Sequence, residues 1–161
     1  MSIFCASSRD SILIYKDEIT HLLLENLRLN LPDEKWSMDE ASNQLDNMLT
    51  NVDKKTAFLF LSVDKCKLSG FAWVYGRQVG KRQRFHINHF VVKSSERGKG
   101  VGGRLIEAII AKAKEMKISA IDLVATKTRR DVIRFYLQNG FDIERYQMVY
   151  KLPKSTPHRN K

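Results

Sequence analysis

The chain reads as one α/β domain built on a mixed sheet, in the order (β)ααβββαβαβ. Three observations predict that class. Two runs rich in Phe, Leu, Val, Trp and Tyr, residues 56–63 and 68–77, flank the polar turn 64–67, as the strands of an antiparallel hairpin do. A third such run, residues 85–92, leads directly into a glycine-rich segment and then into apolar residues at helical spacing. Finally, 161 residues suffice for one sizeable core without disulfide or metal staples.

Ahead of the hairpin, Asp10 or Ser11 is placed to cap a helix running to about Leu29. Ile12, Ile19, Leu22, Leu23 and Leu27 recur along it, and Pro32 ends it. Ser37-Met38-Asp39-Glu40 is a capping box that opens a second helix through Leu45, Met48 and Leu49. A basic loop, residues 80–83, joins the hairpin to the third strand, whose end is apolar on both alternating faces as a covered central strand requires. Leu105, Ile106, Ile109, Ala113 and Met116 mark about four helical turns, and residues 120–125 a short buried strand. Val132, Ile133, Phe135, Tyr136 and Leu137 form a last helix, stopped by Asn139 and Gly140. Residues 141–152 return as a final strand, closing a single domain over 1–152. The basic tail, residues 153–161, has two prolines and no periodicity and is expected to be disordered.

The formal net charge of +10 is unevenly placed. Residues 1–53 hold 4 Lys and Arg against 10 Asp and Glu, a net of −6, which leaves +16 for the remainder. Arg77, Lys81, Arg82, Arg84, Lys93, Arg97, Lys99 and Arg104 crowd one stretch that contains only Glu96 as an acid, so an anionic ligand is expected there. Cys5 and Cys66 form no CxxC spacing, which argues against a disulfide framework and against a metal site. The longest apolar run, residues 57–63, is far short of the about 18 residues of a membrane span, and the N-terminus lacks a signal-peptide pattern. A soluble cytoplasmic protein, with no membrane partner, is the expectation.

The chemistry concentrates in Arg97-Gly98-Lys99-Gly100-Val101-Gly102-Gly103, between strand and helix. Glycines let a backbone turn tightly and bring its N–H groups near an anion, and the helix that follows adds unpaired donors and the positive end of its dipole. Gly98 to Gly103 also satisfies GxGxxG, with Asp122 about 20 residues on, as in a dinucleotide site. The preceding antiparallel hairpin, the short remainder of chain and the position of Asp122 within its strand all disfavour that alternative. The P-loop pattern is absent. A turn with no ligand would not require four glycines and two cations.

Arg97, Gly100 and Gly102, then Phe135-Tyr136, then Gly140-Phe141 resemble the motifs of the GNAT superfamily of N-acetyltransferases over residues 87–141. With the upstream helices and hairpin, the resemblance covers about residues 3–152. It implies a GNAT-like fold, a mixed six- to seven-stranded sheet flanked by about four helices, and acetyl-CoA as acetyl donor. It implies further that Phe90, Val91 and Val92 lie on a splayed strand that pairs with pantetheine, with the Phe90 N–H at the thioester carbonyl. Arg97, Gly98, Lys99, Gly100, Val101, Gly102 and Gly103 would hold the pyrophosphate, and Tyr136 would protonate the departing thiolate. Where the family often has Asn seven residues before this tyrosine, the chain has Arg129, so that pantetheine contact is not carried over. His86 aligns with the glutamate base of the histone acetyltransferase branch and is the candidate base, with a partly exposed strand-end histidine as the plain alternative. By strand alternation Asn88 shares its face and His89 points the other way. Val124 stands where the ribosomal-protein alanine acetyltransferase branch places a base.

The first two helices border the acceptor site in this family, so their negative charge implies a cationic amine, such as a polyamine, an amino sugar or a basic peptide end. Two other readings remain open. One is an RNA-directed or nucleic-acid-binding member that uses residues 77–84, 127–134 and the tail; the other is an acetyl-CoA-binding module without turnover. A homodimer is also a habit of the family.

Overall fold

The computed structural model describes residues 2–6, 8–150 and 152. Strand β1 (Ser2–Ala6) is followed by α1 (Arg9–Leu13), α2 (Lys16–Asn30) and α3 (Met38–Asp53). The hairpin β2 (Ala57–Asp64) and β3 (Lys67–Val79) comes next, then β4 (Arg82–Val92), α4 (Val101–Glu115), β5 (Ala120–Leu123) and α5 (Arg130–Gln138). The sheet order is β1-β2-β3-β4-β5, antiparallel throughout except for the parallel β4–β5 pair.

Alternation along the strands builds two cores. Leu59, Leu61, Phe71 and Val91 face α1–α3 and meet Ile12, Ile19, Leu23, Leu45 and Met48. Phe60, Val74, Phe85 and Ile87 face the other way and pack on Leu105, Ile106 and Ile109 of α4 and on Tyr136 of α5. Each such side chain contributes about 1.5–3 kcal/mol on burial. The capping box is present as read, with the Ser37 hydroxyl accepting from the Glu40 N–H (3.2 Å) and the Glu40 carboxylate accepting from the Ser37 N–H (2.7 Å). One expected helix is two, because a turn at Ile14-Tyr15, closed by the Tyr15 N–H on the Ile12 carbonyl (2.9 Å), separates α1 from α2.

Two irregularities position the site. Between Trp73↔His89 and Val74↔Ile87 the β3–β4 register shifts by one residue, so Asn88 is extra and β4 bulges. Beside this, β5 pairs with β4 only from Arg84↔Ala120 to Ile87↔Leu123, and beyond that point the two strands part.

The expected sheet of six to seven strands has five among the described residues, and the helices number five where about four were expected. The expected strand 141–152 is not formed over its described length: residues 142–150 form no regular element and make no backbone hydrogen bond among the described residues. Their apolar side chains lie open to solvent, Met148 at 90%. Strand β5, expected to be buried, is half-buried for the same reason, since its outer edge has no neighbour. The sequence of 141–150 has strand propensity, but propensity is a context-dependent preference and does not by itself form a ladder. The expected disorder of residues 153–161 lies outside the described residues.

Candidate active site

A cleft of about 630 Å³ opens where β4 and β5 part. Its walls are the end of α2, residues 87–92 of β4, the glycine loop with the start of α4, and Leu123 to Thr126 with α5. Backbone direction along β4 can be read from one bond. The Lys93 N–H donates to the Ser69 carbonyl on the β3 side (2.9 Å). Alternation then turns the Val91 N–H toward β3 and the N–H groups of Phe90 and Val92 toward the side β5 has left. Open donors on a strand that has lost its neighbour must find another partner.

The loop beyond is shaped for an anion. Gly98 (φ 78°) and Gly100 (φ 77°, the N-cap of α4) adopt left-handed conformations that a side chain would strain. From Gly98 to Gly103 no backbone N–H donates to a backbone carbonyl among the described residues, and the first such bond is Arg104 to Gly100 (3.2 Å). These donors lie at the positive end of a four-turn helix, an arrangement that can receive an anion, and the space beside Gly98 is open. Gly102 answers a different need: a Cβ there would stand 2.9 Å from Phe135 Cζ. Its absence lets Phe135 seat α5 against the loop.

Tyr136 lines the cleft within an aromatic cluster, its ring centroid 5.8 Å from Phe90, 5.2 Å from Phe135 and 5.3 Å from Phe141. Burial pushes its phenol well above the usual tyrosine range, and its hydroxyl has no hydrogen-bond partner among the described residues. The side chain is therefore a protonated donor. Arg129, at the N-cap of α5, also lines the cleft and is paired with Asp131 at 3.3 Å.

Of the residues singled out in sequence, Phe90, Val91, Val92, Arg97, Gly98, Gly100, Val101, Gly102, Gly103 and Tyr136 line this one cleft. Val91 does so through the chain alone, because its side chain is in the core and its N–H faces β3. Lys99 does not line it and pairs with Glu96 (3.3 Å). His86 lies outside the cleft walls, one pair before the strands part, with Nδ1 2.6 Å from Asp122 Oδ1. The expectation that His89 points away from His86 is wrong, because the bulge at Asn88 inverts the alternation. His86 opposite Tyr75 and His89 opposite Trp73 share one face.

Sequence reasoning missed what that inversion creates. Buried His89 stacks on Trp73 at 5.7 Å, accepts at Nδ1 from the Asn26 amide (3.2 Å) and donates from Nε2 to the Gln44 carbonyl (3.3 Å). Desolvation lowers its pKa to about 4, so it is neutral at physiological pH. Among the acids of residues 1–53, Glu25 alone lines the cleft, within the described residues; Glu40 is spent on its cap, and Asp39 is not at the walls. No group of three or more His, Cys, Asp or Glu able to hold a metal occurs among the described residues, and no helix there is long and apolar enough to cross a membrane.

The cleft thus lies where a mixed sheet splits between two parallel strands, with a glycine loop capping the helix that follows the split. The sequence model of the acetyltransferase (GNAT) family matches residues 17–141, and the chain belongs to that family. A mycothiol acetyltransferase of Propionibacterium freudenreichii subsp. shermanii is 29% identical over 93 residues, which are 58% of this chain and 30% of that protein. The aligned part thus spans under a third of that relative. Among solved structures, a transcriptional regulator from Bacillus halodurans superposes with a TM-score of 0.75 at 21% identity, covering 94% of this chain and all of the other. An aminoglycoside acetyltransferase from an uncultured soil metagenomic sample gives 0.71 at 16% identity, covering 94% and 96%. Both likenesses are of fold.

Proposed function

We propose that the chain is an N-acetyltransferase that moves an acetyl group from acetyl-CoA to a primary amine by direct attack in a ternary complex. The observation that carries this reading is the open side of β4. There the Phe90 and Val92 N–H groups face a cleft that ends at the donor-rich loop 98–103 and has Tyr136 in its wall.

In this mechanism the loop amides and Arg97 hold the pyrophosphate, and the Val92 N–H orients the pantetheine arm. The Phe90 N–H donates to the thioester carbonyl oxygen as charge develops on it, a role elsewhere worth about 3–4 kcal/mol. Tyr136, kept protonated by its apolar surroundings, gives its proton to the leaving thiolate. His86, which lies outside the cleft walls, takes through an intervening water the proton of an amine whose ordinary pKa is about 10. Holding both reactants in one cleft lowers the barrier by several kcal/mol more. Cys5 and Cys66, both free thiols outside the cleft, take no part and suit a reducing cytoplasmic setting.

The acceptor is an amine carrying one positive charge with neutral polar groups beside it. Among the described residues Glu25, 3.9 Å from Arg97, is the single acid of the N-terminal helices at the cleft, which Asn26, Asn30 and Asn88 also line. An amino sugar or peptide amine fits these walls better than a polyamine. Several basic residues that favoured an RNA partner are engaged within the protein: Arg77 with Asp122, Arg84 with Glu144 and Arg129 with Asp131. The test is a panel of amines assayed for CoA release, with Tyr136→Phe beside wild type. Turnover by wild type and a kcat lowered about 10²-fold or more in the variant, at unchanged acetyl-CoA affinity, is the expected result. Equal kcat would remove Tyr136 from the chemistry.

A further inference from the structure

We propose that Asp122 is a positioning residue for His86, fixing the imidazole as its Nδ1–H tautomer so that Nε2 is the atom that accepts the amine's proton, relayed by water from the neighbouring cleft. The inference rests on the acetyl-transfer reading and adds to it a residue that the glycine loop and Tyr136 do not involve.

His86 and Asp122 face each other across β4 and β5 as Cα partners, in the pair next to the last before the strands part. Nδ1 of His86 lies 2.6 Å from Asp122 Oδ1, and the Arg77 guanidinium reaches the same oxygen at 2.7 Å. Arg84 stands 3.7 Å from the other carboxylate oxygen and is itself drawn to Glu144 at 2.6 Å. Burial pushes the Asp122 carboxyl up, but the hydrogen bonds from Arg77 and His86 outweigh it and hold the group below the usual carboxylate range. An ionised carboxylate only accepts, so the proton of the neutral ring sits on Nδ1 and the lone pair on Nε2. Nε2 has no hydrogen-bond partner among the described residues, and the Tyr75 ring, 5.1 Å away and tilted, limits how the imidazole turns.

The charged and titratable groups around the ring are Tyr75 and Arg77 on β3, Arg84 on β4, Asp122 on β5 and Glu144 beyond α5. Two guanidinium groups offset two carboxylates, so protonating His86 adds a charge to a balanced cluster. In the reaction the amine nitrogen bonds the acetyl carbon and the C–S bond breaks. The amine proton passes through water to Nε2 and the Tyr136 proton to the thiolate. Water then takes the imidazolium proton, and the phenolate is reprotonated. Asp122 keeps its charge throughout and stabilises the imidazolium, the part played by the aspartate of a serine-protease triad.

The experiment combines kinetics on the full chain, with acetyl-CoA and an amine that wild type turns over, and ¹⁵N spectra of the imidazoles. His86→Gln is expected to lower kcat at pH 7 by about 10²-fold, with the gap closing as pH approaches the amine's own pKa. Asp122→Asn should lower kcat about tenfold at unchanged acetyl-CoA KM and move the His86 signal from the Nδ1–H to the Nε2–H form, and Asp122→Glu should restore part of both. An Nε2–H signal in wild type overturns the proposal. So does a wild-type kcat and pH profile in His86→Gln, which would leave the pair as a tie between strands while the acetyl-transfer reading stands. Absence of turnover by wild type with every amine overturns both.

Discussion

The two lengths of β4 are built from similar residues and differ in their neighbours. Residues 82–87 end between two strands, β3 on one side and β5 on the other, so their backbone groups are met by the sheet. Residues 88–92 keep β3 and lose β5. The first length is held by the sheet on both sides; the second leaves the Phe90 and Val92 N–H groups on a cleft wall, where, on the proposed reading, a ligand would supply the missing partner. Function in this molecule begins where a ladder stops.

The sharpest way to break that contrast is to remove one N–H from each side of the same strand. Val91→Pro deletes a donor that faces β3 and should destabilise the fold by about 3 kcal/mol or more, measured by denaturant unfolding. Val92→Pro deletes one that faces the cleft; its stability loss should be distinctly smaller, while acetyl-CoA binding weakens. Equal losses of stability would mean that the open side is not open.

A pH effect of similar size comes from the bulge. His89 has a folded pKa of about 4 against the ordinary 6.5 of a solvated imidazole in the unfolded chain, so below pH 6.5 the unfolded state binds the extra proton. Stability should therefore fall as pH drops from 6.5 toward 4, by roughly 3 kcal/mol in full, and His89→Gln should flatten that slope. A wild-type slope that survives the substitution would place its origin elsewhere.

The smallest effects belong to the flank beyond α5. Met148→Ala should change stability by less than about 0.5 kcal/mol, since the side chain is exposed. Amides of 142–150 should exchange with solvent far faster than those of β2 and β3. Protection of that segment would show an additional strand.

These contrasts explain what the sequence disclosed. The hairpin, the capping box, the helix after the loop and the Gly140 stop are set by neighbouring residues and were legible from them. The cleft residues were legible because Gly98, Gly100 and Tyr136 carry spacing that survives without coordinates, and the family resemblance supplied their roles. The side of β4 on which His89 falls was not legible, because one extra residue at Asn88 inverts a period of two and leaves no mark in composition. Asp122 was visible only as a stray acid, since its meaning depends on a partner 36 positions away. Residues 141–150 look like a strand because propensity reads residue type and not whether a pairing forms.

The central claim, that the open side of β4 and the loop beyond it form the seat of acetyl-CoA, is tested most directly by calorimetric titration of acetyl-CoA into wild type and Gly100→Glu, with NADH as control. The substitution puts bulk and negative charge where the phosphates should sit, at a position already in the left-handed region. Micromolar binding of acetyl-CoA by wild type, no binding of NADH, and loss of acetyl-CoA binding in a folded variant is the predicted result. A wild type that does not bind acetyl-CoA, or a variant that binds it as well, would contradict the account.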